Sequence, residues 1–262
     1  MSSLYRTDIG YGGWFSFNST AEGWNPEYAE KMLNHFFSMS LFRQMFKDYK
    51  ITDELLITTN VDYSSMTGKS VLVIGGGPSS GLLDDKILDS YDYVFSCNHF
   101  YKNTFLSSRK INVVLVGDEV NLRDKDFIKY INTFKPLLGF EHSRRATYEI
   151  ASLQSEYPRV FVYLTRYFSR LGYVPRAMVL ARLFGASKVD FVGMDGFQSN
   201  THYFENSKQP PPFNKPELFR EQMKIFCKYM HEDLGCEKGQ IANLGEHYKD
   251  SIYKGIIEEY SQ

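Results

Sequence analysis

After Lys69 the sequence repeats one pattern: a short apolar run, a break rich in glycine or polar residues, and a longer stretch before the next run. The runs are "SVLVIG" (70–75), "YVFSC" (93–97), "INVVLVG" (111–117), "RVFVYL" (159–164), "KVDFVG" (188–193) and "IANLG" (241–245). Most are rich in Val and Ile with little polar alternation, which marks strands buried on both faces. Two intervening stretches are helical. "VPRAMVLARLFGAS" has Pro175 near its start and Gly185 just past its end. "NKPELFREQMKIFCKYMHEDLG" has Pro216 and Gly235 in the same places, with Leu218, Met223, Phe226 and Met230 on one face. Proline at the entry and glycine at the exit is the asymmetry that helix ends favour. Buried strands alternating with helices predict an α/β fold, a doubly wound, mostly parallel Rossmann-like sheet.

The pattern differs before "SSMTGKS" (64–70). Asn25 and Pro26 suit a helix entry, and Met32, Leu33, Phe36, Phe37, Phe42, Met45 and Phe46 recur at helical spacing. Packing of this stripe on the main domain is the commoner outcome, and a ligand groove the rarer one. The chain therefore divides into an N-terminal arm and helical extension, residues 1–66, and a Rossmann-like α/β domain, residues 67–262. "KQPPPFNKP" (208–216) reads as an extended loop.

With 262 residues, 43% of them hydrophobic, the chain can bury a large core. Its net charge of −1 is unlike a broadly basic nucleic-acid binder, although a local basic groove stays open. Cys97, Cys227 and Cys236 form no CxxC pair and suit a reducing compartment. The start, "MSSLYRTDIGYGGWF", has neither the basic residues nor the apolar run of a signal peptide. No stretch reaches the roughly 20 apolar residues that cross a bilayer. These features read as a cytoplasmic protein.

In such sheets ligands bind beyond the C-terminal ends of the strands. The first strand ends in "GGGPSSG" (75–81). Gly75, Gly76 and Gly77 permit a tight turn and close approach of backbone N–H groups to an anion, while Ser79 and Ser80 offer hydroxyl donors or a helix cap. The run is neither GxGxxG nor a P-loop, and a plain glycine turn would also account for it. Later strand ends carry Asn98 and His99, Asp118 and Glu119, and Asp195. Each alone suits a turn or a helix cap; together they suit a nucleotide site, with carboxylates for a divalent cation or sugar hydroxyls. Tyr163, Arg166, Tyr167, Arg170 and Arg176 form a basic and aromatic cluster suited to phosphates, and Arg144, Arg145, Lys102, Arg109 and Lys110 suit an anionic acceptor or plain solvent.

"VLVIGGGPSS" followed by "YVFSCNHFY" resembles the opening of the bacterial lipooligosaccharide sialyltransferases. "LFGASKVDFVGMDGFQ" resembles that family's helix, glycine and strand ending in an aspartate, and "NTHYFENSK" its lid segment with a Ser-His-Tyr. The resemblance spans roughly residues 70 to 255 and implies a sialyltransferase-like fold. It implies that Gly76, Gly77, Ser79 and Asn98 line a nucleotide-sugar site, that Tyr163 holds the donor phosphate, and that His202 is the base deprotonating the acceptor hydroxyl. Asp195 ends the matching strand and joins His202 as a catalytic candidate. Three departures stand out: Gly76 replaces the family's asparagine, Arg176 occupies the place of its second phosphate-binding tyrosine, and the family lacks the N-terminal extension. A guanidinium can still clamp a phosphate, so the donor rather than the chemistry is in question.

The same glycine turn and strand-end aspartate also resemble the MptE-like proteins, which include 6-hydroxymethylpterin diphosphokinases and relatives of flagellin-modifying Maf proteins; there Asp118 would bind the metal. The expected function is glycosyl transfer from a nucleotide-sugar co-substrate to a glycan or other hydroxyl acceptor, with Mg²⁺ compatible but not required. The alternatives are the metal-dependent diphosphokinase, transfer onto a hydroxymethylated DNA base, and a non-catalytic nucleotide-binding module.

Overall fold

The structure, a computed structural model, describes residues 46, 48–52, 54–117, 119–141, 150, 152–165, 167, 171–196, 216–249 and 251–260. Among these, β1 (Tyr49–Ile51), β2 (Leu55–Thr58), β3 (Ser70–Ile74), β4 (Tyr93–Cys97), β5 (Val113–Val116), β6 (Leu137–Glu141), β7 (Val160–Thr165) and β8 (Lys188–Val192) form one sheet. Their order is β1-β2-β7-β6-β5-β4-β3-β8. All neighbours from β7 to β8 pair in parallel, and only β1–β2 and β2–β7 are antiparallel. The expected α/β, doubly wound, mostly parallel sheet is therefore present.

Period-two alternation sorts the strand residues into two cores. Val71, Val73, Phe95, Leu115, Phe161, Tyr163 and Phe191 face one side. There α3 (Tyr173–Leu183) and α4 (Pro216–Glu232) cover them, with α5 (Ile256–Tyr260) packed on α4. Leu72, Ile74, Val94, Val114, Phe140 and Val162 face the other side, under α1 (Asp85–Asp89) and α2 (Lys125–Phe134). The chain steps outward from β3 to β7 with connections such as α1 and α2 on the second face. It then returns past β3 to β8 with α3 on the first face. A constant crossover hand demands this change of face when the strand order reverses. The reversal puts a topological switch point between β3 and β8, the place where open α/β sheets bind ligands.

Three sequence expectations change in detail. "IANLG" makes a parallel bridge from Asn243 to Phe191 on the outer side of β8 rather than a strand, with N–H···O bonds from Val189 to Gln240 and from Phe191 to Ala242. "LLGFE" forms β6, which the run pattern did not mark. Residues 49–58, placed in the extension, form a hairpin whose second strand pairs with β7. The helical extension before residue 46 lies outside the described residues. Among the described residues no helix is long and apolar enough to cross a membrane.

Candidate active site

At the switch point the turns after β3 and β8 interlock. The Gly75 N–H donates to the Val192 carbonyl (2.8 Å), and the Gly77 N–H to the Gly193 carbonyl (2.7 Å). A Cβ on Gly75 would lie 2.5 Å from the Gly193 oxygen, and one on Gly77 2.4 Å from the Asp195 carboxylate. Side chains at either position would force the two turns apart, so the glycines are required for this approach. Asp195, 3% exposed, accepts the Ser79 N–H through Oδ2 at 2.8 Å. The Ser79 hydroxyl accepts the Gly193 N–H at 2.9 Å, and the Ser80 hydroxyl donates to the Gly75 carbonyl. The structure thus brings Gly75, Gly77, Ser79, Ser80 and Asp195 together as the sequence implied. It also gives the serine hydroxyls and both glycine N–H groups partners within the fold. Gly76 and Pro78 remain half-buried on the turn.

Beside this turn, Asn98 ties the ends of β4 and β5. It has a left-handed backbone (φ 51°), which asparagine tolerates better than most residues. Its Oδ1 accepts the Gly117 N–H at 2.8 Å, and its Nδ2 donates to Glu119 Oε1. Gly117 has no side chain to separate Glu119 from Tyr173: a Cβ there would stand 2.4 Å from Glu119 Oε2 and 2.6 Å from the Tyr173 hydroxyl. Burial, then the Lys102 charge, pushes the His99 pKa down, favouring neutral imidazole. Burial, then Glu119, pushes the Cys97 thiol up to about 12, so it is a packing group and no thiolate nucleophile.

A third group sits at the ends of β6 and β7. Glu141 and Tyr163 are register partners, and Arg176 on α3 pairs with Glu141 at 2.5 Å. The Arg176 guanidinium also lies 5.3 Å from the Tyr173 ring centre. Burial works against the Arg176 charge, but Glu141 and the surrounding tyrosines outweigh it and leave its pKa raised. Tyr163 is 0% exposed, and its hydroxyl has no hydrogen-bond partner among the described residues; Glu141 Oε1 likewise has none. Burial first, then the Glu141 charge and Tyr173, hold the Tyr163 pKa well above its ordinary value.

His202, Asp118, Arg144, Arg145, Arg166 and Arg170 lie outside the described residues. Lys102 is paired with Asp124 (3.3 Å), and Arg109 grips Asp85 through Nε and a terminal nitrogen. Both cations therefore already hold carboxylates. The sequence did not point to Glu141 or Tyr173. Glu141 ends an unrecognised strand, and Tyr173 precedes the proline that marked the helix entry. Among the described residues no group of three or more His, Cys, Asp or Glu side chains is placed to hold a metal ion.

No protein-family model and no curated protein sequence matches this chain. Among solved structures it is similar to the sialyltransferase CstII from Campylobacter jejuni, determined in complex with a substrate analogue, CMP-3FNeuAc. The identity is 15% and the TM-score 0.50, over 67% of this chain and 81% of that one. A mammalian sialyltransferase is similar at 12% identity and a TM-score of 0.44, over 68% of this chain and 69% of that one. At this identity the first likeness bears on architecture: the chain has the mixed-sheet α/β fold found in CstII.

Proposed function

We propose that this chain is a glycosyltransferase of sialyltransferase type, moving a sugar from a nucleotide-sugar donor to a hydroxyl acceptor. One observation carries the reading. The interlocked Gly75–Asp195 turns lie at the switch point of the parallel sheet, and the Asn98–Glu119 and Tyr163–Glu141–Arg176 groups lie at the ends of the strands beyond it. The solved neighbour of like fold holds a CMP-sugar analogue, which supports a nucleotide sugar as co-substrate here.

In the transfer the acceptor oxygen forms a bond to the anomeric carbon of the donor sugar. The bond from that carbon to the phosphate oxygen breaks, and its electron pair leaves on the nucleotide phosphate. The acceptor proton passes to a base, for which His202 is our candidate, since imidazole titrates near neutrality. Tyr163 and Arg176 are our candidates for the leaving phosphate, a hydroxyl donor beside a cation. Gly76, with Gly75, Gly77, Ser79, Ser80 and Asn98, shapes the nucleotide's seat. Asp195 holds that seat through Ser79 and acts by positioning. Mg²⁺ is compatible with this reading without being required by it.

Thermal shift of the purified protein against CMP, UDP, GDP, ADP and ATP, each with and without Mg²⁺, tests the proposal. A ligand at a hundred times its Kd adds about 2.7 kcal/mol of stability. A shift with a nucleoside mono- or diphosphate is expected, and the base names the donor class. Stabilisation by ATP and Mg²⁺ alone would replace the transferase with a diphosphokinase. A flat response to all five would leave the glycine turn as architecture.

A further inference from the structure

We infer that a cleft on the α2 side of the sheet is a binding subsite for an uncharged saccharide, the acceptor of the transfer; this assignment rests on the glycosyltransferase reading. The cleft encloses about 690 Å³ between residues 119–123, α2 and residues 152–157. Ligand pockets run from roughly 300 to 1,000 Å³, so the space suits one or a few sugar units.

Its lining has the mixed character of a saccharide. Ile128, 39% exposed and one of the few large apolar side chains open to solvent among the described residues, and Leu153 offer apolar surface for the C–H face of a sugar ring. Asn132 and Ser152 offer hydrogen-bonding groups from two different elements, one on α2 and one on the segment after β6. Glu119 and Glu156 contribute carboxylates, which accept hydrogen bonds from sugar hydroxyls. Arg123 is the one cation among the described residues of the lining.

Among the described lining residues two carboxylates stand with one guanidinium, a balance that disfavours an acidic ligand through like-charge repulsion.

Glu119 connects the cleft to the proposed donor edge. It lines the cleft, while its Oε1 accepts the Asn98 amide and its Oε2 lies beside Gly117, as the Tyr173 hydroxyl does. A sugar held against Ile128 with one hydroxyl toward Glu119 therefore points that hydroxyl at the C-terminal ends of β4 and β5. An acceptor must approach the donor there.

The test is saturation-transfer NMR on the full chain with lactose, maltose and N,N′-diacetylchitobiose, and with 3′-sialyllactose as the acidic counterpart. The wild type is compared with Asn132→Trp and Ser152→Trp, which place bulk in the cleft from exposed positions on two different elements. The nucleotide thermal shift is recorded on the same samples. We expect at least one neutral disaccharide to bind, sialyllactose to bind more weakly, and each tryptophan to weaken saccharide binding at least tenfold while the nucleotide shift persists. Saccharide binding that survives both tryptophans overturns the assignment, as does preferential binding of sialyllactose. Absence of any disaccharide signal beside an intact nucleotide shift overturns the cleft alone. A cleft that binds sugar in a protein that no nucleotide stabilises overturns the transferase reading and leaves a saccharide-binding module.

Discussion

The Tyr163 hydroxyl is a buried polar group at the end of β7. It is fully buried, stands beside Glu141 across the β6–β7 register, and has no partner among the described residues. A buried polar group left unsatisfied costs about 1–3 kcal/mol. Tyr163→Phe removes that group with little change of shape. We expect it to raise stability by about 1 kcal/mol in urea melts while abolishing the nucleotide-induced thermal shift. Such opposite signs identify a group kept for a ligand; a loss of stability would instead mean that the hydroxyl is bonded in the free protein. The glycine turn was legible at this scale because three consecutive glycines after an apolar run have few other uses. Their division of labour was not legible. That Gly77 makes room for Asp195, and that Gly117 makes room for Glu119 and Tyr173, depends on contacts between segments far apart in the chain.

Elements with a strong local signature were read correctly, and those made by tertiary pairing were not. β3, β4, β5, β7 and β8 fall on short runs dominated by apolar residues, and each formed where expected. β6 contains Gly139 and follows Pro136, both of which argue locally against a strand. The sheet overrides that signal, because a Cβ at Gly139 would sit 2.6 Å from Phe161 and 2.8 Å from Leu115. The opposite error occurred at "IANLG", where only Asn243 bridges to β8. α2 also escaped the reading, although Asp124 gives it a good cap by accepting the Asp126 N–H at 2.9 Å. Asp124 additionally accepts from the Tyr101 hydroxyl (3.2 Å) and pairs with Lys102. Burial works against its charge, but the Asp126 N–H, Lys102 and Tyr101 outweigh it and hold its pKa below the ordinary carboxyl value. A depressed carboxyl pKa contributes stability above the unfolded value, about 3.9, that disappears as pH falls through the folded one. Asp124→Ala is therefore expected to cost about 1 kcal/mol at pH 7. In urea melts taken from pH 7 to pH 3, the gap between wild type and variant should narrow below about pH 4. A gap independent of pH would assign the loss to packing.

At the scale of the whole molecule the question is where the α/β unit begins. Composition places a boundary after residue 66, yet the sheet extends past it. Leu55, Leu56 and Ile57 of β2 are buried, and β2 pairs with β7 through Leu55–Thr165, Leu56–Leu164 and Ile57–Tyr163. Three further contacts fasten the same segment: Asn60 Nδ2 to the Val160 carbonyl (2.7 Å), the Val162 N–H to Thr58 Oγ1 (3.0 Å), and the Tyr229 hydroxyl to Glu54. Residues 49–60 thus cap the edge of the parallel sheet next to Tyr163. Cutting at the compositional boundary would expose a six-residue strand, buried along its whole length, as an unpaired edge. Edges of that kind pair with other chains. Each of the three lost β2 side chains also removes about 1.5–3 kcal/mol of burial. We expect a fragment of residues 67–262 to aggregate or to melt well below the full chain, and one of residues 46–262 to recover much of the difference. Size-exclusion chromatography and thermal melts of the three proteins decide the matter. A monomeric 67–262 fragment melting with the full chain would show that the hairpin is an accessory, and that the parallel strands from β7 to β8 stand on their own.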